Sequence, residues 1–404
     1  MGFHRYRFPK TSEKAILFNL NGILGPCKII NGELEKTGES ELEGSFVIAP
    51  TKRRPKPTSV FFKVELNTAI SNLEKDENSG NYLVSLGKEN DSVLMKAAIS
   101  YTSVKNASAN LETELPHWDF EKTVQESKLE WNTLLRRIKV EGNSETAQKR
   151  FYTDLWHTLL GRKIISDVNG AYPDNTGETF RIGLLPLKSD GTPQFNHYNS
   201  DAFWGAQWTI NTLWGLVYPE IKKEFVLSLL QYEKDGGLIP RGPSGGNYTY
   251  VMTGASTTPF IVSAIQKGII TEGLDTIYRK LKKNHMPNGI MEKAGYEHNT
   301  NLGGGLSYYL DKGYVPYPIP EGKFGVHQDG ASLTMEYAYQ DYTLAQLAKK
   351  LGDEDDYIYF KERSKNYRNV YDSNTGWMRP KDIDGKWKTE FDPFSYENGY
   401  NESN

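Results

Sequence analysis

A single cysteine, Cys27, in 404 residues excludes an intramolecular disulfide framework and any zinc site built from several thiolates. Histidine numbers seven. His197, His285, His298 and His327 are scattered and never stand at i, i+4, so the spacing supports no histidine-based metal centre. No apolar run reaches the roughly 18 residues needed to span a bilayer. An excess of one charge is missing too: 48 Lys+Arg against 51 Asp+Glu leave a formal net charge of −3, without the basic footprint of a nucleic-acid binder. The one basic cluster, KRRPKP at 52–57, contains proline and reads as a solvated loop. There is no GxSxG elbow, and Cys27 has no evident His partner, so a Ser or Cys nucleophile drops out. The loop RGPSGGNYTY at 241–250 has neither the GxxxxGK[ST] nor the GxGxxG spacing, which argues against a phosphate cradle.

What is abundant is aromatic: 25 Tyr, 17 Phe and 8 Trp. That content serves sugar-stacking clefts and large helical cores equally. The length suggests two or three domains. Short β-prone runs at 15–20 (AILFNL), 60–66 (VFFKVEL), 82–86 (YLVSL) and 93–101 (VLMKAAISY) are separated by turn clusters, so residues 1–115 read as strands of an antiparallel sandwich. Residues 118–138 carry apolar side chains at helical spacing and read as a linker helix within 116–143. From Ser144, an N-cap followed by Glu145, helices dominate through 404. Apolar segments at 201–217, 257–267 and 331–351 alternate with amphipathic ones at 219–232, 273–283 and 355–370, the rhythm of an α/α toroid. The connections at 242–254 and 297–325 are long, rich in Gly, Tyr and Pro, and read as structureless functional loops.

Glu336 sits within SLTMEYAYQDY near the start of an apolar helix, where desolvation would raise its pKa toward that of a general acid. A salt-bridged helix glutamate is the alternative. Asp341, five residues on, falls too far round the helix to share its face. Trp204 and Trp208, at i and i+4 beside Gln207 and Asn211, could form a sugar-binding face or a core pair.

At these motifs the chain resembles glycoside hydrolase family 92, the calcium-dependent exo-α-mannosidases. The resemblance runs from GFHRYRFP (2–9) and Trp118-Asp119-Phe120 through Val140-Glu141-Gly142, RFYTDLWHTLLGRKIISD (150–167), DGGLIP (235–240) and Gly246-Asn247-Tyr248-Thr249. It continues through Tyr308-Tyr309, Gly313-Tyr314-Val315-Pro316, SLTMEYAYQDY and GWMRP (376–380). It implies a partial, supersandwich-like N-terminal β-sandwich followed by a partial (α/α)6 barrel, acting on an oligosaccharide or N-glycan by inverting hydrolysis. The resemblance places the family's general acid at Glu336, a −1 subsite contact at Glu402, and sugar-binding positions at Trp204 and Asn247. It puts the general base beyond Asn404, and it implies Ca2+ with ligands that the sequence does not specify. Many members carry Trp-Asp where this chain has Trp204-Gly205; Asp201, one turn earlier, is the candidate replacement. Gly254-Ala255-Ser256-Thr257 also departs from the family's GxHA or GDHA segment. Both ends read as the interior of a longer protein, and the family implies an exported bacterial enzyme. Another (α/α)6 glycosidase or lyase, or a glycan-binding remnant without catalysis, are the alternatives; the oligomeric state is open.

Overall fold

The strand register follows directly from alternation. In VFFKVEL, Val60, Phe62, Val64 and Leu66 are buried toward one face, while Lys63 on the other is held by Glu41 (2.6 Å) and Glu43 (3.0 Å). The computed structural model describes the chain apart from residues 10–12, 52–53, 88–91, 143, 201–202, 295–302, 321–328, 396–398 and 401–404. It divides into two compact units, Met1–Asn199 and Ser200–Asn404.

The first unit is built on strands β1 (Gly2–Arg7), β2 (Ala15–Phe18), β3 (Ile23–Leu24), β4 (Cys27–Lys36), β5 (Glu41–Ile48), β6 (Thr58–Leu66), β7 (Ile70–Lys75), β8 (Tyr82–Leu86) and β9 (Ser92–Ser100). They form a six-stranded antiparallel sheet, in order β1-β9-β6-β5-β4-β3, and a three-stranded sheet, β2-β8-β7. The two sheets share one core: Leu34, Leu42, Phe62 and Val93 of the first pack with Ile70, Tyr82 and Val84 of the second. This is the expected sandwich.

One part of the strand reading is corrected. Helix α1 (Val104–Glu114) occupies the end of the stretch read as strands. Ser103 caps it by accepting from the Asn106 N–H, and Leu111 with Leu115 buries against Ala98 of β9. Helices α2 (Phe120–Leu135) and α3 (Glu145–His157) follow; Ser144 accepts from the Ala147 N–H at 3.2 Å, as its N-cap position predicts.

The second unit holds α4 (Phe203–Ala206), α5 (Ile210–Val217), α6 (Pro219–Gly236), α7 (Thr257–Gln266), α8 (Leu274–Asn284), α9 (Leu306–Lys312), α10 (Gly330–Leu351) and α11 (Glu354–Arg363). α6 starts with Pro219 and ends at Gly237, whose φ of 82° is the left-handed cap conformation that glycine accepts without penalty. Two expectations are corrected here. The single buried helix over 201–217 is two helices, broken across 207–209; Gly205 lowers helix propensity before the break, and Trp208 and Leu216 are exposed. The loop over 297–325 contains α9, because Leu306 and Tyr309 bury into the core with Leu333 and Tyr337 of α10. Among the described residues, no helix is long and apolar enough to cross a membrane.

Candidate active site

Glu336 stands in the first half of α10, half-buried, on a helix whose Leu333, Thr334, Tyr337 and Ala338 are fully buried. Among the described residues, two neutral donors reach its carboxylate. The Thr253 hydroxyl donates to Oε2 at 2.8 Å, and Gln340, one turn along α10, donates from Nε2 to Oε1 at 2.8 Å. Gln340 is itself fixed, since its Oε1 accepts from the Ala255 N–H at 2.6 Å. The Ala255 amide therefore reaches the candidate acid through a single side chain. Gly254 makes this approach possible. Its φ is 72°, and a Cβ there would lie 2.6 Å from Gln340 Oε1.

Arg241 lies on the loop after α6 and is wholly buried. Its Nη1 donates to the Gly254 carbonyl at 2.6 Å, while Nε and Nη2 are buried without a hydrogen-bond partner among the described residues. Burial pulls the guanidinium down to about 10, against the opposing pull of Tyr337, Glu336 and Tyr250. Nε and Nη2 form one edge of the guanidinium, the fork that matches two adjacent oxygens. The rest of this loop is a tight hairpin: Pro243–Ser244 pairs with Asn247–Tyr248 across Gly245 and Gly246, both at positive φ, as a two-residue primed turn requires. Tyr248 pins it by donating to the Leu238 carbonyl at 2.8 Å, and Asn247 is buried in the second strand.

A second network lies on another side of α10. Asp341 is fully buried. Its Oδ1 receives His285 Nδ1 and Arg363 Nη2, both at 2.8 Å; its Oδ2 receives Arg363 Nε at 2.8 Å and the Tyr309 hydroxyl at 2.9 Å. A carboxylate can only accept, which fixes the proton of His285 on Nδ1 and leaves Nε2 to accept from Thr258 at 2.9 Å. Burial lowers the pKa of His285 despite the Asp341 contact, and burial raises that of Tyr309. Asp341 is thus a structural anchor turned away from Glu336. A cavity of about 520 Å3 opens on yet another face of α10, between Met335, Tyr339, Tyr342, Lys361, Tyr367 and Arg368. Neither Glu336 nor Gln340 lines it.

The other expected site residues fare differently. Trp204 is half-buried on α4, and the helix break leaves Trp208 exposed, so the two indoles do not share one continuous helix. Asp201 and Glu402 lie outside the described residues. Among the described residues, no three His, Cys, Asp or Glu side chains gather to hold a metal ion. Thr253 and Gln340 carry no motif that marks them as site residues. Arg241 stands on a Gly-rich loop of a kind that can cradle a ligand, but its burial is not legible in the sequence.

A β-sandwich, and after it in the chain a helical domain with a glutamate held on a buried helix, define a glycosidase-type architecture. More particularly, the chain belongs to glycosyl hydrolase family 92: the model of that family's catalytic domain matches residues 106–404. It is similar in fold to a family 92 α-mannosidase of Bacteroides thetaiotaomicron, 22% identical, with a TM-score of 0.81 over 99% of this chain and 52% of that one. A family 92 inverting mannosidase of the same bacterium is 20% identical, with a TM-score of 0.81 over 99% of this chain and 52% of its own. An uncharacterized secreted glycosidase of Arthroderma benhamiae is 23% identical over 329 residues, which are 76% of this chain and 36% of that protein. The chain therefore spans about half the length of the solved relatives and about a third of the fungal one.

Proposed function

We propose that this chain is the acid-bearing part of an exo-acting, inverting α-mannosidase-like glycoside hydrolase, with Glu336 as general acid. The observation that carries the reading is the Glu336 carboxyl, half-buried on α10 and held at both oxygens by Thr253 and Gln340 beside the buried Arg241. In this scheme Glu336 protonates the glycosidic oxygen as the bond to the anomeric carbon breaks, and a water attacks the opposite face of the sugar. A base that lies outside residues 1–404 takes the proton of that water. Inversion requires the two groups to stand about 6.5–9.5 Å apart so that the water fits between them.

Trp204, Asn247, Asp201 and Glu402 are proposed as sugar contacts, and the wholly buried Arg241 as a fixed positive charge near Glu336. The substrate class is an oligosaccharide or N-glycan. Similarity to a secreted glycosidase supports export as the setting.

The test is Glu336→Gln in the full-length protein that carries this chain. Activity on glycans with poor leaving groups should fall by about 10²–10⁴-fold. An activated aryl mannoside, whose leaving group needs little protonation, should lose far less. Equal loss on both would reduce Glu336 to a binding or structural role.

A further inference from the structure

The hydrogen bonds around Glu336 determine which of its two oxygens carries the acidic proton. The Ala255 N–H can only donate. The atom of Gln340 that faces it at 2.6 Å is therefore the amide oxygen, and this orients the whole side chain. The amide nitrogen of Gln340 must then face Glu336, where it donates to Oε1 at 2.8 Å. An NH2 group cannot accept a proton, so a hydroxyl at Oε1 would have no acceptor in Gln340; the carbonyl oxygen of a protonated acid is also the stronger acceptor, and this bond favours Oε1 as that oxygen. Oε2 is left as the hydroxyl oxygen. Its neighbour, the Thr253 hydroxyl at 2.8 Å, can donate or accept, and so tolerates Glu336 both with and without its proton.

We infer that Gln340, locked by the Ala255 amide, is a positioning residue that confines the acidic proton of Glu336 to Oε2, so that the leaving-group oxygen must approach on the Thr253 side. This rests on the proposed role of Glu336 as acid, but the arrangement of bonds has its own readout. Two features of the site serve the lock. Gly254 admits Gln340 because it has no Cβ, and Gln340 is wholly buried, so water does not compete for its amide. The placement also narrows the substrate's pose: with Oε1 occupied by a fixed donor, only one edge of the carboxyl can deliver a proton.

The experiment is infrared difference spectroscopy of the full-length protein, wild type minus Glu336→Gln, at a pH where Glu336 is protonated. The carbonyl stretch of Glu336 should lie low, because Oε1 accepts from Gln340. Thr253→Val, which removes a partner of the hydroxyl oxygen only, should leave that band in place. Gln340→Met, close in length but without a donor, should shift it upward to the frequency of an unbonded acid. In kinetics, Gln340→Met should lower kcat on poor leaving groups while KM stays near wild type.

Should Gln340→Met fail to fold, Gln340→Glu keeps an acceptor for the Ala255 N–H. It also sets a second carboxyl against Oε1, so the single titration of the band should split into two coupled steps. The inference is overturned if Thr253→Val moves the band and Gln340→Met does not, or if Gln340→Glu leaves one unsplit titration. The expected band pattern, combined with full activity of Glu336→Gln, would uphold the lock and refute the acid role, so the two claims fail separately.

Discussion

Asp341→Asn is the sharpest probe of what holds α10 in place. The side chain keeps its shape but loses its charge and one acceptor. In the wild type, four donor contacts between 2.8 and 2.9 Å converge on the carboxylate, two of them from Arg363, with His285 and Tyr309 supplying the others. An asparagine can accept through its oxygen alone. Its NH2 group would face donors already in place, and the Arg363 guanidinium, 7% exposed, would lose its counter-ion. Removing one partner of a buried ion pair costs about 3–5 kcal/mol, because the surviving charge stays desolvated. Against a total stability of roughly 5–15 kcal/mol, that is a large fraction. The assay is urea unfolding followed by far-UV circular dichroism, with the exposed Asp384→Asn as control. A loss below about 1 kcal/mol, the range of a surface ion pair, would refute the view of Asp341 as a buried anchor.

Two further outcomes follow from buried groups. Gly254→Ala should destabilise by about 2–4 kcal/mol, since the new Cβ combines a left-handed backbone with overpacking against Gln340; a thermal shift near zero would mean that the loop relaxes around it. Lys222, wholly buried, donates to the Asn211 carbonyl at 3.1 Å and to Ser263 Oγ at 2.6 Å. Desolvation, with Lys267 adding to it, brings Lys222 down to about 7 from 10.5. Between those two pH values the unfolded chain holds a proton that the folded chain has released, so stability should climb with rising pH across the window, by on the order of 3–5 kcal/mol. Lys222→Met should flatten that climb in denaturation midpoints measured from pH 7 to pH 10, and an unchanged slope would place the titration elsewhere.

What the sequence reveals and what it conceals divide by the distance over which each feature is determined. Strand β6 is legible because Val60, Phe62, Val64 and Leu66 declare their common face within seven residues. The end of α6 is legible because a glycine pair marks it. α1 is missed because its helical face is only three buried side chains in a polar run. The break between α4 and α5 is missed because an apolar segment reads the same whether it is buried or interrupted.

The site is harder still, since its contacts join residues that no local pattern connects. Thr253 and Glu336 are 83 residues apart, Ala255 and Gln340 are 85, and His285 and Asp341 are 56. Gly254 and the Ala255 amide leave no mark in the sequence, since a glycine fits many patterns and every residue but proline has an amide proton. Their physical content is a gap for one side chain and one donor that orients it. Through Gln340, that amide reaches the carboxyl of Glu336. Gly254, Gln340 and the candidate acid therefore belong to one unit of chemistry, and a change at any of them should be read at the others.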